Sequence, residues 1–269
     1  MRVLTLVRRS ATQSWPLLIA SAFLLAGFQF VLVAGAASIE ESQMFGRMAE
    51  FLPSFLQRGL GQQALLLATF QGLISFGYFH PVIVVLIGLV SAYFATEPGY
   101  DVESGRVDLL LSRAVPRRRL ITRSLLLSVL VVVFMVCVMA IGTSIGVFVY
   151  ADAAAQPPSP ALIRTLMAHL VAVGCCIGAL GLAIGAGASR WSTAFAAVVV
   201  TTVLMYWIDF AAIAWAPVRR IAWISPFDYY PAIPILGGTA PVWRNLLVLW
   251  SVTVLLWVVA YWRFQRRDL

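Results

Sequence analysis

Lysine is absent from this 269-residue chain, and all nineteen basic residues are arginine. A phosphate-binding loop of the G-x-x-x-x-G-K-[ST] kind needs its Lys, so no ATPase site of that kind lies within the chain. Charge is scarce altogether: 11% of residues are charged against 61% hydrophobic, and no polar block is long enough to fold as a separate water-soluble domain. Cysteine and histidine are nearly missing, with three and two copies. Cys137, Cys175 and Cys176 sit in apolar stretches without His or carboxylate at ligand spacing, which speaks against a metal site or a disulfide framework.

What is present is a series of apolar runs longer than the roughly 18 residues that mark a bilayer span. They fall near 15–37, 65–95, 124–151, 161–188, 193–214 and 243–262. The expected fold is an all-α integral membrane protein with six transmembrane helices, forming one membrane-spanning domain over 1–269. The first run is too long for a signal-peptide core and has no clear cleavage site, so it reads as a retained helix. Six spans put both termini on one side. Thirteen arginines then lie on that side and six on the other, and the positive-inside rule assigns the richer side to the cytoplasm. The expected location is the plasma (inner) membrane. The same placement at segment ends accounts for the net charge of +8 by topology and anionic headgroups, without nucleic acid.

The loops differ in character. Residues 38–63 mix Glu40, Glu41 and Glu50 with Phe and Leu, as a short amphipathic helix on the outer surface would. Residues 153–160 read as a plain proline-rich turn. Residues 217–241 combine prolines with Trp and Tyr, as in a partly re-entrant or interfacial hairpin. Residues 1–10 are open to two readings, a helix along the inner membrane surface or an unstructured basic tail.

The segment 97–119 concentrates four of the eleven acids and five arginines, so it lies in water. Pro98-Gly99 is expected to break the second helix, and Val107-Asp108-Leu109-Leu110-Leu111 to restore an amphipathic one until Pro116 stops it. The leucines of that short cytoplasmic helix have no intramembrane neighbour. They need an apolar cleft, and the surrounding charges suit its rim; the alternative is a polar loop lying on the membrane.

At these residues the chain resembles the permeases of ABC transporters of the type-2 export family. There an acid-rich stretch, a Gly, a Leu-Leu pair, then Pro and Arg follow the second span. Glu97, Asp101 and Glu103 match the acids, Gly105 the glycine, with Arg106 beside it, Leu109-Leu110 the pair, and Pro116-Arg117-Arg118 the close. Ser225-Pro226-Phe227 is similar to a second element of that family, before its last span. Arg123 stands where Lys is common, and Ser112-Arg113-Ala114 is more basic than usual. The resemblance implies a permease without catalytic residues or cofactor of its own. It implies pairing with a second permease copy or a paralogue, driven by a separate ABC ATPase subunit that binds ATP and Mg²⁺ and grips the 97–118 segment. A scaffold subunit that recruits a cytoplasmic partner without transport is the alternative.

Inside the membrane, Gly174, Gly178, Gly181 and Gly185 give the fourth span a smooth face for helix packing, as Gly142 and Gly146 do for the third. His80, beside Pro81, has two readings: a pathway residue, with Gln71 in reach if the helix kinks there, or a satisfied core histidine. Asp209 is a candidate for the pathway, for a pair with Arg219 or Arg220, or for simple hydration. His169 and Gln29 carry no assigned role. Gly187-Ala188-Ser189-Arg190 and Glu40-Glu41 resemble fragments of intramembrane protease motifs, but the later His and the nearby metal ligands those enzymes use are missing.

Overall fold

The computed structural model describes residues 3–41, 66–67, 69–105, 116–151 and 156–266. All its regular elements are helical, and six helices are long and apolar enough to cross a membrane, as expected. The amphipathic α1 (Val3–Gln13) buries Leu6, Val7 and Ser10 and packs against the third span, so the N-terminal stretch is a helix rather than a loose tail. Span 1 is α2 (Trp15–Glu41). Span 2 is built from α3 (Phe70–Phe79), α4 (Pro81–Ala95) and α5 (Glu97–Glu103). Spans 3, 4 and 5 are α6 (Arg117–Tyr150), α7 (Pro160–Gly185) and α8 (Trp191–Ala214). After the short α9 (Ala216–Arg219), a 3-10 turn at Ala222–Ile224 and α10 (Ala232–Leu236), span 6 is α11 (Val242–Gln265).

Span 4 is the hub. It touches spans 2, 3, 5 and 6 and is 72% buried, whereas span 5 is 11% buried and leans on the rest by one side. The glycines explain how span 4 gets so close. A Cβ on Gly174 would meet Val132 and Ile87, and one on Gly181 or Gly185 would meet the backbone of Ala92 or Thr96 at 3.2 or 3.0 Å. Spans 1 and 3 meet the same way, with Gly142 against the backbone of Ala26. The packing role read from these glycines holds.

The break in span 2 is a correction. Pro98-Gly99 does not end the helix: after a turn at Thr96, α5 continues to Glu103 with Pro98 in its first turn, where the missing N–H costs nothing. The break lies at His80, whose ψ of 126° separates α3 from α4, because Pro81 cannot donate to the preceding turn. Span 3 likewise begins at Arg117, earlier than the hydropathy pattern showed. The short helix expected at 107–111, with Arg106, Leu109 and Leu110, lies outside the described residues. Of the amphipathic helix expected within 38–63, residues 38–41, with Glu40 and Glu41, instead continue span 1, and 42–63 lie outside the described residues.

Candidate functional site

The C-terminal end of span 2 carries the acids singled out in the sequence, and the fold turns them towards neighbouring helices. Arg123, less than two turns into α6 and 5% exposed, donates from Nη2 to Asp101 Oδ2 at 2.6 Å and lies 3.2 Å from Glu97 Oε2. Charge-assisted bonds in a site this dry are strong, and removing either sign leaves the other buried. Glu97 Oε1 accepts a hydrogen bond from Ser10 Oγ at 2.7 Å, which ties α1 into the cluster. Glu103 Oε2 accepts from the backbone N–H of Trp191 at 2.9 Å. Arg190, the residue before span 5, offers no side-chain cap, so Glu103 serves as a cap supplied from another helix.

The three acids therefore form a frame rather than a free charged rim. It joins α1 and spans 2, 3 and 5, and in sequence the segment 106–115 connects two of its members, α5 and α6. Gly105 closes α5 with φ +67°, a conformation that glycine adopts without strain, and Pro116 opens α6 at its N-cap. Arg117 Nη1 reaches the Gln265 carbonyl at 3.4 Å, and Arg263 Nη1 donates to the Ala183 carbonyl at 3.0 Å in the last turn of span 4. A side chain at Gly187 would collide with that guanidinium. The start of span 3, the N-terminal helix and the C-terminal end of span 6 thus meet on one side of the bundle.

The intramembrane candidates are not brought together. Among the described residues His80 Nδ1 is buried without a hydrogen-bond partner, and its ring is packed edge-on against Phe28 and Phe76 at 5.5 and 5.0 Å. Gln71 makes no hydrogen bond to it there. Asp209 forms no salt bridge with Arg219 or Arg220 among the described residues.

The break in span 2 is served by a residue that the sequence does not single out. With α4 starting its bonds at His80, the Tyr78 carbonyl loses its helical partner. The Tyr230 hydroxyl, from the segment between spans 5 and 6, lies 3.2 Å from that carbonyl and 3.3 Å from the Leu166 carbonyl of span 4, and its one proton serves both. His169 stacks on the Tyr230 ring at 5.7 Å and donates from Nδ1 to the Thr165 carbonyl at 2.8 Å. The Ser225-Pro226-Phe227 element anchors the same segment: Ser225 Oγ donates to the Met205 carbonyl of span 5 and accepts from Phe227 N–H. No signal of spacing marks Tyr230, whose role comes from a carbonyl 152 residues away in sequence.

Six apolar spans around a small-residue hub, with a broken helix in the second span and a polar frame at one end, define a multi-pass membrane protein. The chain belongs to the family described as multidrug efflux system permease Rv1217c, C-terminal domain, whose model matches residues 20–265. No curated protein matches it.

Proposed function

We propose that this efflux-family permease is the membrane subunit of an ATP-driven ABC exporter of the type-2 export kind. It forms the substrate pathway in a dimer with a second copy or a paralogue, in the plasma (inner) membrane with both termini cytoplasmic. The chain is non-catalytic, and ATP and Mg²⁺ bind a separate ATPase subunit that grips the 106–115 segment through Leu109 and Leu110. One observation carries the reading. The helices on either side of that segment, α5 and α6, are locked together by the Arg123–Asp101 and Arg123–Glu97 contacts, and Glu103 extends the lock to span 5. A push on the segment therefore moves spans 2, 3 and 5 as a unit, which is what coupling to an external motor requires.

The test is co-expression of the Leu109→Asp, Leu110→Asp double variant with the candidate ATPase. Co-purification is expected to be lost while membrane insertion stays intact. Undiminished ATPase binding refutes the docking role.

A further inference from the structure

Spans 5 and 6 both pack on span 4 but scarcely on one another, and between them lies a cleft of about 380 Å³. Its floor is span 4, through Cys176, Ile177 and Leu180. Met205 of span 5 lines one side and Val248, Val252 and Leu256 of span 6 the other, while the connecting segment adds Trp223 and Tyr229. From Val248 to Leu256 the lining runs about 12 Å along the helix axis. The polar groups nearest to it are already paired. The Tyr229 hydroxyl donates to the Trp223 carbonyl at 3.1 Å, and Ser225 Oγ to the Met205 carbonyl at 2.9 Å.

Water entering such a cleft finds few partners, and even an apolar cavity of about 150 Å³ stays dry and takes hydrocarbon instead. Left empty, the lining would forfeit dispersion contacts along its whole length. Spans 5 and 6 are the least buried of the six, so the gap between them faces the bilayer, and bilayer hydrocarbon is the material at hand to fill it.

Charge at one end of the cleft narrows the choice of lipid. Arg244, Val248, Val252 and Leu256 follow one another at four-residue spacing, so Arg244 extends the lining face of span 6 by one turn. Arg219 and Arg220 precede Trp223 through two consecutive tight turns, closed by Ile221 N–H to the Val218 carbonyl and Ile224 N–H to the Ile221 carbonyl. All three arginines are exposed, and neither salt bridge found among the described residues involves them. On the elements that form the cleft, this end carries Arg164, Arg219, Arg220 and Arg244 against Asp209 and Asp228, a surplus of positive charge.

We propose that the cleft holds an acyl chain of an anionic phospholipid whose phosphate lies against Arg244, Arg219 and Arg220. The chain fills the apolar length, and the arginines favour an anionic head over a zwitterionic one. The site involves neither the 106–115 segment nor an ATPase, so it stands or falls separately from the coupling reading.

The experiment is photo-crosslinking of the full chain in phosphatidylcholine nanodiscs. They carry a minor fraction of phosphatidylglycerol with a diazirine midway along one acyl chain, and adducts are located by mass spectrometry after digestion. Phosphatidylcholine with the same diazirine chain is the comparison. Adducts on the lining residues of spans 4 and 6 are expected to be about fivefold or more richer with the phosphatidylglycerol probe, the effect of one or more basic residues at a membrane surface. Arg244→Gln should lower them about fivefold. Val252→Trp, which fills the cleft, should abolish them. Leu247→Trp, at a position 67% exposed on the same span and outside the lining, should leave them unchanged, and so separates filling of the cleft from a disturbed helix. Equal labelling of the cleft by the two probes, adducts spread evenly over the exposed faces of spans 5 and 6, or unchanged labelling in Val252→Trp overturns the proposal. So does an absence of cleft adducts, the result expected if a second copy of the chain sits there and keeps the probe out.

Discussion

Replacing Arg123 with Met would take away the guanidinium that Asp101, only 3% exposed, contacts at 2.6 Å. Breaking a buried pair by removing one partner costs about 3–5 kcal/mol. The expected outcome is a large fall in the thermal unfolding temperature of the detergent-solubilised chain, partly recovered when Asp101→Asn is added, because the second change removes the orphaned charge. Recovery in the double variant is the decisive measurement, since a steric effect of Met would not be relieved by it. Tyr230 offers a neutral counterpart. Tyr230→Phe keeps the ring stacked on His169 and removes one hydroxyl, leaving the Tyr78 carbonyl at the span 2 break without that donor. A loss of about 1–3 kcal/mol is expected. The stacking partner and the carbonyl partners separate cleanly: Tyr230→Leu should cost more than Tyr230→Phe.

Helix packing here depends on which glycines face backbone. A methyl on Gly142 would press into the Ala26 backbone, with Cα at 2.9 Å, so Gly142→Ala must push spans 1 and 3 apart, at about 1–3 kcal/mol for an overpacked contact. Gly27 and Gly35, on the same span as Ala26, would place a methyl with nothing within 4 Å, and Ala there is expected to be neutral or to stabilise by up to about 1 kcal/mol. Unfolding curves for the three variants check the contrast, and equal losses at all three would contradict the packing. The small-residue spacing was legible because it repeats along one helix. The location of the helix break was not. Pro81 and Pro98 look alike in sequence, yet Pro98 falls in the first turn of a resumed helix whereas Pro81 follows an extended His80. Which of the two interrupts the span depends on the local Thr96 turn, which lets the helix resume, and on the donor that Tyr230 brings from 152 residues away. The acids were likewise found as a group, but their inward direction depends on Ser10, Arg123 and Trp191, which lie on three other helices.

For the molecule as a whole, hydropathy sufficed for the six spans because each must satisfy its own backbone in the bilayer, whereas orientation rests on charge. The fold sharpens that argument. Arg117 bonds to the end of span 6, Arg263 to the end of span 4, and Ser10 to Glu97, so the N-terminal helix, the start of span 3 and the C-terminal turn share one side. That side also holds Arg8, Arg9, Arg118, Arg119, Arg123, Arg190 and Arg266, while the opposite side has Arg164, Arg219, Arg220 and Arg244. An asymmetry of this size predicts that the arginine-rich face is cytoplasmic. Gln156, exposed just before span 4, should then be extracytoplasmic. In a background where Cys137, Cys175 and Cys176 are replaced by Ala, Gln156→Cys should react with a membrane-impermeant maleimide in intact cells. Gln156 is preferable to Ser159, whose hydroxyl accepts the Leu162 N–H and caps span 4. A reporter active only in the cytoplasm, fused to the C-terminus, should be active in the same cells. Labelling only after permeabilisation, together with a silent reporter, would invert the protein and put the Arg123 frame, with the 106–115 segment between α5 and α6, out of reach of any cytoplasmic ATPase.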